Sequence, residues 1–197
     1  MRAARLLLTA ILGLTSAGVA ADRPHIARLH GEIRLWLPPP MQQALLARFP
    51  DFVPWRESDY MALIRRDYVN SWQQAPFAVI GDFNRDRRQD VAIMGHTAKE
   101  SLLLVLLSQR TAYRVELVDR GPRVDPASSL YGWPPEPEAG RGLEIYLHYT
   151  PPGRYTSGYE KHPLHLRQAA FSEVFWGKAA GIYYWDSQGF HWFTTAD

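Results

Sequence analysis

Oxygen-bearing side chains recur at alternate positions in one short segment of the chain, from Asp82 to Asp90. They stand at positions 1, 3, 5 and 9 of that segment and are Asp82, Asn84, Asp86 and Asp90. Such spacing lets a tight turn direct alternate side chains toward one hard cation, and calcium prefers oxygen ligands of this kind. The backbone carbonyl of Arg88 at position 7 adds one more oxygen. The segment is therefore predicted to bind Ca²⁺ through Asp82, Asn84, Asp86, Arg88 and Asp90.

The same segment is also compatible with a turn that holds no metal. Arg85, Arg87 and Arg88 bring positive charge to the loop and oppose cation binding. Aspartate and asparagine side chains accept hydrogen bonds from backbone N–H groups nearby and stabilise turns in that way. The pattern does not favour an EF-hand, because position 12 is Ile93 instead of a bidentate glutamate and the flanking segments are predicted to be strands, not helices. Both the calcium loop and the metal-free turn stay open on the sequence alone.

No group of residues elsewhere has the spacing of a known catalytic site, and no catalytic residue is predicted. The chain has no cysteine, and Thr156-Ser157-Gly158 lacks the flanking glycine of a Gly-x-Ser-x-Gly nucleophile elbow. Because the loop ligands are all local, a cation there is expected to fix one hairpin and not to activate a water. The alternative is a hydrolase acting on carbohydrate, with its site assembled from distant strands.

Aromatic residues are concentrated near the C-terminus, where two strands are predicted. Alternation along a strand places successive side chains on opposite faces of a sheet. One face is expected to join the core, and the other is a candidate platform for a sugar or a peptide. The candidate platform residues are Tyr184, Trp185 and Trp192. Burial of both faces is the competing interpretation.

Short apolar runs separated by turn residues predict most of the chain to be strands. The first half holds a four-stranded antiparallel meander over Phe77 to Ile80, Val91 to Met94, Leu102 to Leu107 and Tyr113 to Val118. The second half holds strands at Leu143 to Tyr149, Ala169 to Trp176, Ala179 to Trp185 and Phe190 to Thr194. The Pro- and Gly-rich stretch 121–140 is predicted to be a long loop between the two halves.

Two helices are predicted before the meander, Met41 to Phe49 and Asp59 to Tyr68, with Ser58 as the N-cap of the second. The fold class that follows is α+β and mainly β, with two N-terminal helices followed by antiparallel meanders of eight to nine strands. Residues 22–197 are expected to form a single domain.

The stretch from Val79 to Asp86, followed by Asp90 to Ile93, resembles the FG-GAP or VCBS type of repeat. In that family a Gly-Asp-x-Asn-x-Asp-Gly-x-x-Asp loop joins two strands of a propeller blade and binds calcium. The resemblance implies a propeller-blade-like hairpin here, with a binding or structural role. Arg87 replaces the family's glycine, at a position that often needs a backbone shape disfavoured by a side chain, at a cost of about 1 kcal/mol.

The N-terminal residues 1–21 have the order of an export signal. Arg2 and Arg5 precede an apolar run from Leu6 to Leu14, and small residues ending at Ala20 and Ala21 follow. The mature chain is therefore expected to be periplasmic or secreted, without stable membrane insertion. Two of the 22 basic residues leave with the signal, so the remainder matches the 20 acidic residues. This balance excludes nucleic acid as an expected partner and leaves a protein or a carbohydrate.

Overall fold

The computed structural model describes residues 22–127 and 140–196. Within these ranges the chain forms a short 3-10 helix, Glu57–Asp59, and two α-helices, α1 (Pro39–Arg48) and α2 (Ala62–Asp67). The same ranges hold fourteen strands: β1 (His25–Leu29), β2 (Glu32–Trp36), β3 (Val53–Pro54), β4 (Gln74–Ala75), β5 (Ala78–Gly81), β6 (Asp90–His96), β7 (Glu100–Ser108), β8 (Tyr113–Pro122), β9 (Ile145–Thr150), β10 (Gly153–Tyr155), β11 (Leu164–Leu166), β12 (Ala170–Phe175), β13 (Ala179–Trp185) and β14 (Phe190–Ala196). The predicted export signal, 1–21, and residues 128–139 of the predicted loop lie outside the described residues.

A six-stranded antiparallel sheet forms the centre of the fold. Its order is β4-β5-β6-β7-β8, and β3 pairs with the far end of β6. This confirms the predicted meander, since β5 to β8 are consecutive neighbours. Strand β7 has the unbroken apolar run Leu102 to Leu107, and all six of these residues are buried. A continuous apolar run is what a strand covered on both faces requires.

The second sheet has four antiparallel strands in the order β14-β13-β12-β9. The predicted hairpin between β13 and β14 is confirmed, and its turn closes with the Asp186 N–H donating to the Gly189 carbonyl at 3.0 Å. Gly189 has a φ of 151°, a conformation that L side chains rarely adopt. Two further hairpins, β1-β2 and β10-β11, form separate two-stranded sheets.

Two apolar cores cover the two faces of the six-stranded sheet. On one face, residues such as Leu104 and Ile93 pack with the helical region, which includes Met41 of α1 and Ile64 of α2. On the other face lies what we call the inter-sheet core, between the six-stranded and four-stranded sheets. It consists of Val79, Phe83, Ala92, Leu103, Val105, Leu107, Leu147, Ala169 and Phe171. The loop at Asp82–Asp90 contributes Phe83 to it.

The predicted fold class is wrong in two respects. The structure is mostly β, with more strands than the eight or nine expected, and the helices are not N-terminal because the β1-β2 hairpin precedes them. Strands β3, β4 and β10 have two or three residues each, which is too short to produce a recognisable alternation.

The second predicted helix is much shorter in the structure. The 3-10 helix Glu57–Asp59 ends at Tyr60, and α2 begins only after Met61, so Ser58 does not cap it. Tyr60 is fully buried and its hydroxyl donates to the Pro76 carbonyl at 3.2 Å. Tertiary packing of Tyr60 therefore interrupts the segment that the pattern assigned to one helix. Neither helix in the described ranges has the length and apolar character needed to cross a membrane.

Candidate functional site

The predicted cation loop connects β5 to β6, and its acidic side chains accept hydrogen bonds from the loop's own backbone. The carboxylate of Asp82 accepts from the Asp86 N–H at 3.0 Å and from the Arg87 N–H at 2.8 Å. The Asn84 amide oxygen also accepts from the Asp86 N–H, at 3.1 Å. Asp86 in turn accepts from the Arg88 N–H at 2.9 Å. These hydrogen bonds fold the loop backbone around the side chain of Asp82.

Two residues of the loop adopt the left-handed conformation. Arg87 has a φ of 66° and Arg85 a φ of 63°. Arg87 occupies the position where the FG-GAP pattern has glycine, so the backbone keeps a conformation that glycine adopts more readily than other residues. The chain therefore accepts conformational strain at Arg87 to make this turn.

We expect Arg87→Gly to raise the free energy of unfolding by about 0.5–1 kcal/mol, because glycine removes the penalty of the left-handed backbone. Chemical denaturation in urea measures this change. Arg88→Gly is the matched control, since Arg88 is not among the described residues with positive φ; it should lower stability, because glycine there only adds backbone freedom to the unfolded chain. Equal effects of the two substitutions would contradict the strain at Arg87.

Asp90, the last predicted ligand, has a different environment from the other three. Asp90 is fully buried, and its two carboxylate oxygens accept hydrogen bonds from the Phe83 N–H at 2.9 Å and the Ser108 N–H at 2.8 Å. The Ser108 hydroxyl also donates to the Gln89 carbonyl. Asp90 thus joins the loop to the end of β7 and holds Phe83 in place.

Phe83 anchors the loop between the two sheets. It is fully buried, and its ring lies 5.3 Å from that of Phe171 in a T-shaped contact. A Cβ at Gly81 would lie 2.7 Å from the Phe83 ring, so the strand before the loop needs a residue without a side chain there. The loop is therefore a structural contact between sheets as well as a candidate site.

Burial raises the pKa of Asp90 to about 7, although its two backbone hydrogen bonds act to lower it, and the charges of Asp86 and Asp82 raise it further. The charges of Asp82 and Asp86 therefore act on the carboxyl of Asp90, although burial is the larger cause of its raised pKa. In donor chemistry the three carboxylates fit calcium, which binds oxygen ligands. Among the described residues, however, no three histidine, aspartate or glutamate side chains are gathered closely enough to hold a metal together.

The three predicted platform residues do not share one face. Along β13, Tyr183 and Trp185 contact the inter-sheet core, whereas Tyr184 packs on the opposite side, with Ile182 and Phe193. Trp192 pairs with Tyr183 and is 40% exposed, so it lies on the same face as Trp185. Strand alternation separates Tyr184 from both tryptophans.

The structure brings a buried glutamate next to this tryptophan, which sequence reasoning missed. Glu173 on β12 is 6% exposed and stands opposite Gly181 of β13. A Cβ at Gly181 would overlap the ring of Trp192, so this ring lies directly over the glycine. The hydroxyl of Tyr183, two residues further along β13, lies near this carboxyl and acts to lower its pKa.

Burial raises the pKa of Glu173 to about 7, the charge of Asp119 raises it further, and the Tyr183 hydroxyl lowers it. Asp119 stands opposite Leu103, beyond a bulge in the β7-β8 pairing, and therefore on the side of the inter-sheet core. One sequence signal was available: in β12, Glu173 alternates with Phe171 and Phe175 and so falls on the buried face. A carboxyl in such a place is often functional.

Comparison with known proteins provides no relative from which a role could be transferred: no family model matches the chain, and neither the curated proteins nor the solved structures contain a significant match.

Proposed function

We propose that the chain is a non-catalytic binding or structural module of the periplasm or the extracellular space, with an FG-GAP-like loop that binds one calcium ion. In this role Asp82, Asn84, Asp86, the Arg88 carbonyl and Asp90 are the ligands, and binding the ion draws their oxygens closer together than they lie in the described loop. The ion fixes the β5-β6 loop and with it Phe83, which packs between the two sheets. Calcium is thus a structural element of the fold.

The conformation of Arg87 carries the proposal. Its left-handed backbone gives the loop the turn that the calcium-binding pattern obtains from glycine. The electrostatic environment of Asp90 supports the same conclusion, because repulsion from Asp82 and Asp86 adds to the rise in its pKa that burial causes. A divalent cation among these side chains offsets that repulsion.

Calcium in excess over EDTA is expected to raise the melting temperature of the mature chain by about 5–10 °C, since a ligand at 100 times its Kd adds about 2.7 kcal/mol and each kcal/mol corresponds to about 2–4 °C. Asp86→Ala should abolish this response, because it removes the carboxylate of the third of the five proposed ligands. Differential scanning fluorimetry or calorimetry measures both.

Asp186→Ala is the matched control for the loss of an aspartate from a turn. Asp186 accepts from the Gln188 and Gly189 N–H groups in the β13-β14 turn, just as Asp86 accepts from Arg88. This variant should be less stable than the native chain and still respond to calcium. A native chain whose melting temperature is the same in calcium and in EDTA excludes the calcium part of the proposal.

One observation favours a second candidate, an extracytoplasmic hydrolase acting on carbohydrate. Glu173, with its pKa raised to about 7, has the property of a general acid near neutral pH, and Asp119 provides a second carboxyl close by. Trp192, whose ring lies over Gly181 opposite Glu173, is 40% exposed and can stack on a sugar. Release of reducing sugar from a polysaccharide that disappears in Glu173→Gln distinguishes this candidate from the non-catalytic module.

A further inference from the structure

A groove of about 920 Å³ lies between the β1-β2 hairpin and the edge of the six-stranded sheet. One wall is the unbroken run Gly31 to Leu37, and the other is the unbroken run Phe52 to Ser58. Successive side chains of an extended segment point to opposite faces. Because every residue of each run lines the groove, the groove follows the backbone edges of the two segments.

The edge of β2 that faces away from β1 has no strand partner among the described residues. The Ile26 N–H donates to the Trp72 carbonyl at 3.3 Å, outside the β1-β2 pair. Ile26 and its partner Leu35 are therefore a non-hydrogen-bonded pair, and by alternation so are Arg28 and Ile33. The N–H and C=O groups of Ile33 and Leu35 therefore point away from β1, and no described strand pairs with them.

The opposite wall also has a free edge. Strand β3 pairs with β6 through Val53 and Pro54, and the Trp55 N–H donates to the Met94 carbonyl at 3.1 Å. No other described strand pairs with β3. Two unpaired backbone edges therefore border one groove, and an open edge of this kind accepts an added strand.

The side chains along the groove are apolar and charged, and both of its carboxylates are already ion-paired: Glu32 with Arg34 at 2.9 Å and Glu57 with Arg28 at 3.1 Å. Trp36, Leu46 and Val53 are 37%, 42% and 44% exposed, which is unusual for large apolar residues that are close together. Arg56 and Arg65 line the same groove, and neither has a carboxylate partner within the described residues. An occupant that carries both apolar groups and carboxylates complements this surface.

We propose that the groove binds an extended, acidic peptide segment of a partner protein by strand addition along β2. The peptide's backbone pairs with Ile33 and Leu35, its apolar side chains cover Trp36, Leu46 and Val53, and its carboxylates pair with Arg56 and Arg65. The wall from Gly31 to Leu37 accommodates about seven residues, or about 23 Å of extended chain. The inference rests on the binding role proposed above and does not depend on calcium.

A ten-residue synthetic peptide of alternating valine and glutamate is the probe, with a valine and lysine peptide as its control. Isothermal titration of the mature chain should give binding of the glutamate peptide at least about tenfold tighter than that of the lysine peptide. In ¹H-¹⁵N spectra, the amides of Ile33 and Leu35 should shift most. Binding that leaves these two amides unshifted would overturn strand addition.

Charge reversal tests the groove without touching its core. The double variant Arg56→Glu and Arg65→Glu changes two exposed side chains. It should reverse the order of affinities, so that the lysine peptide binds more tightly than the glutamate peptide. Arg110→Glu, in the distant β7-β8 turn, is the control and should bind as the native chain does. A double variant that keeps the native preference contradicts the assignment of these arginines.

Leu35→Pro tests the backbone contact, since it removes an N–H that β1 does not use and proline is tolerated at sheet edges. This variant should bind the glutamate peptide at least about tenfold more weakly than the native chain does. If the free chain is instead a dimer with the Ile33 and Leu35 amides already protected from exchange, a second copy occupies the groove and the inference is wrong. If the chain responds to calcium but binds neither peptide, peptide binding in the groove is contradicted and the calcium proposal stands.

Discussion

Replacing Asp90 with alanine is expected to lower the free energy of unfolding by about 4 kcal/mol, the largest effect among the predicted ligands of the loop. The carboxylate accepts one hydrogen bond from the Phe83 N–H and another from the Ser108 N–H, and the residue is fully buried. Alanine leaves both donors without a partner, at a cost of about 1–3 kcal/mol each. It also frees Phe83, which holds the loop between the sheets.

Urea unfolding at pH 7 measures this change. Two further variants provide smaller expected losses of stability for comparison. Asp86→Ala removes a single exposed acceptor of the Arg88 N–H and should cost about 1 kcal/mol or less. Asp90→Asn retains one acceptor oxygen and should fall between the two alanine variants, so the order remains measurable even if Asp90→Ala does not fold. Equal losses for Asp90→Ala and Asp86→Ala would show that Asp90 has no special place in the fold.

The parts of the fold that the sequence predicted well are those in which one strand carries its own pattern. The run Leu102 to Leu107 is apolar at every position because β7 is covered on both faces. The β13-β14 hairpin was predicted because Gly189 supplies the conformation that its turn needs. In both cases the information lies within a few consecutive residues.

The parts that the sequence did not predict depend on contacts between distant segments. Nothing local indicates that β3, with two residues, pairs with the end of β6, or that Tyr60 interrupts a helix by packing into the core. The same holds for the site. Asp82, Asn84 and Asp86 were found from spacing, whereas Glu173 and Asp119 come from different sheets and meet only when the sheets pack.

Glu173→Gln is expected to make the protein more stable than the native chain at pH 8, by up to roughly 3 kcal/mol, and equally stable at pH 4. Burial raises the pKa of this carboxyl from 4.5 to about 7. The folded state therefore binds the proton more tightly than the unfolded state does. Stability contributed by the protonated form is present below pH 4.5 and is lost as the pH rises toward 7. Glutamine stays neutral throughout and avoids that loss.

Unfolding free energies of the two proteins from pH 4 to pH 8 test this expectation, and only their difference counts, because other carboxyls titrate in both. Glu100→Gln, which replaces a carboxylate with 43% side-chain exposure, controls for the loss of a glutamate in general and should leave no comparable pH-dependent gain. If the unfolding free energies of the native chain and Glu173→Gln depend on pH in the same way, the Glu173 carboxyl is exposed to solvent and the buried position described above is contradicted. If they diverge, the native chain retains a buried acid beside Tyr183 and Trp192 at the expense of stability. Proteins keep such a cost where the group is used, so Glu173 is the first residue to test against carbohydrate substrates.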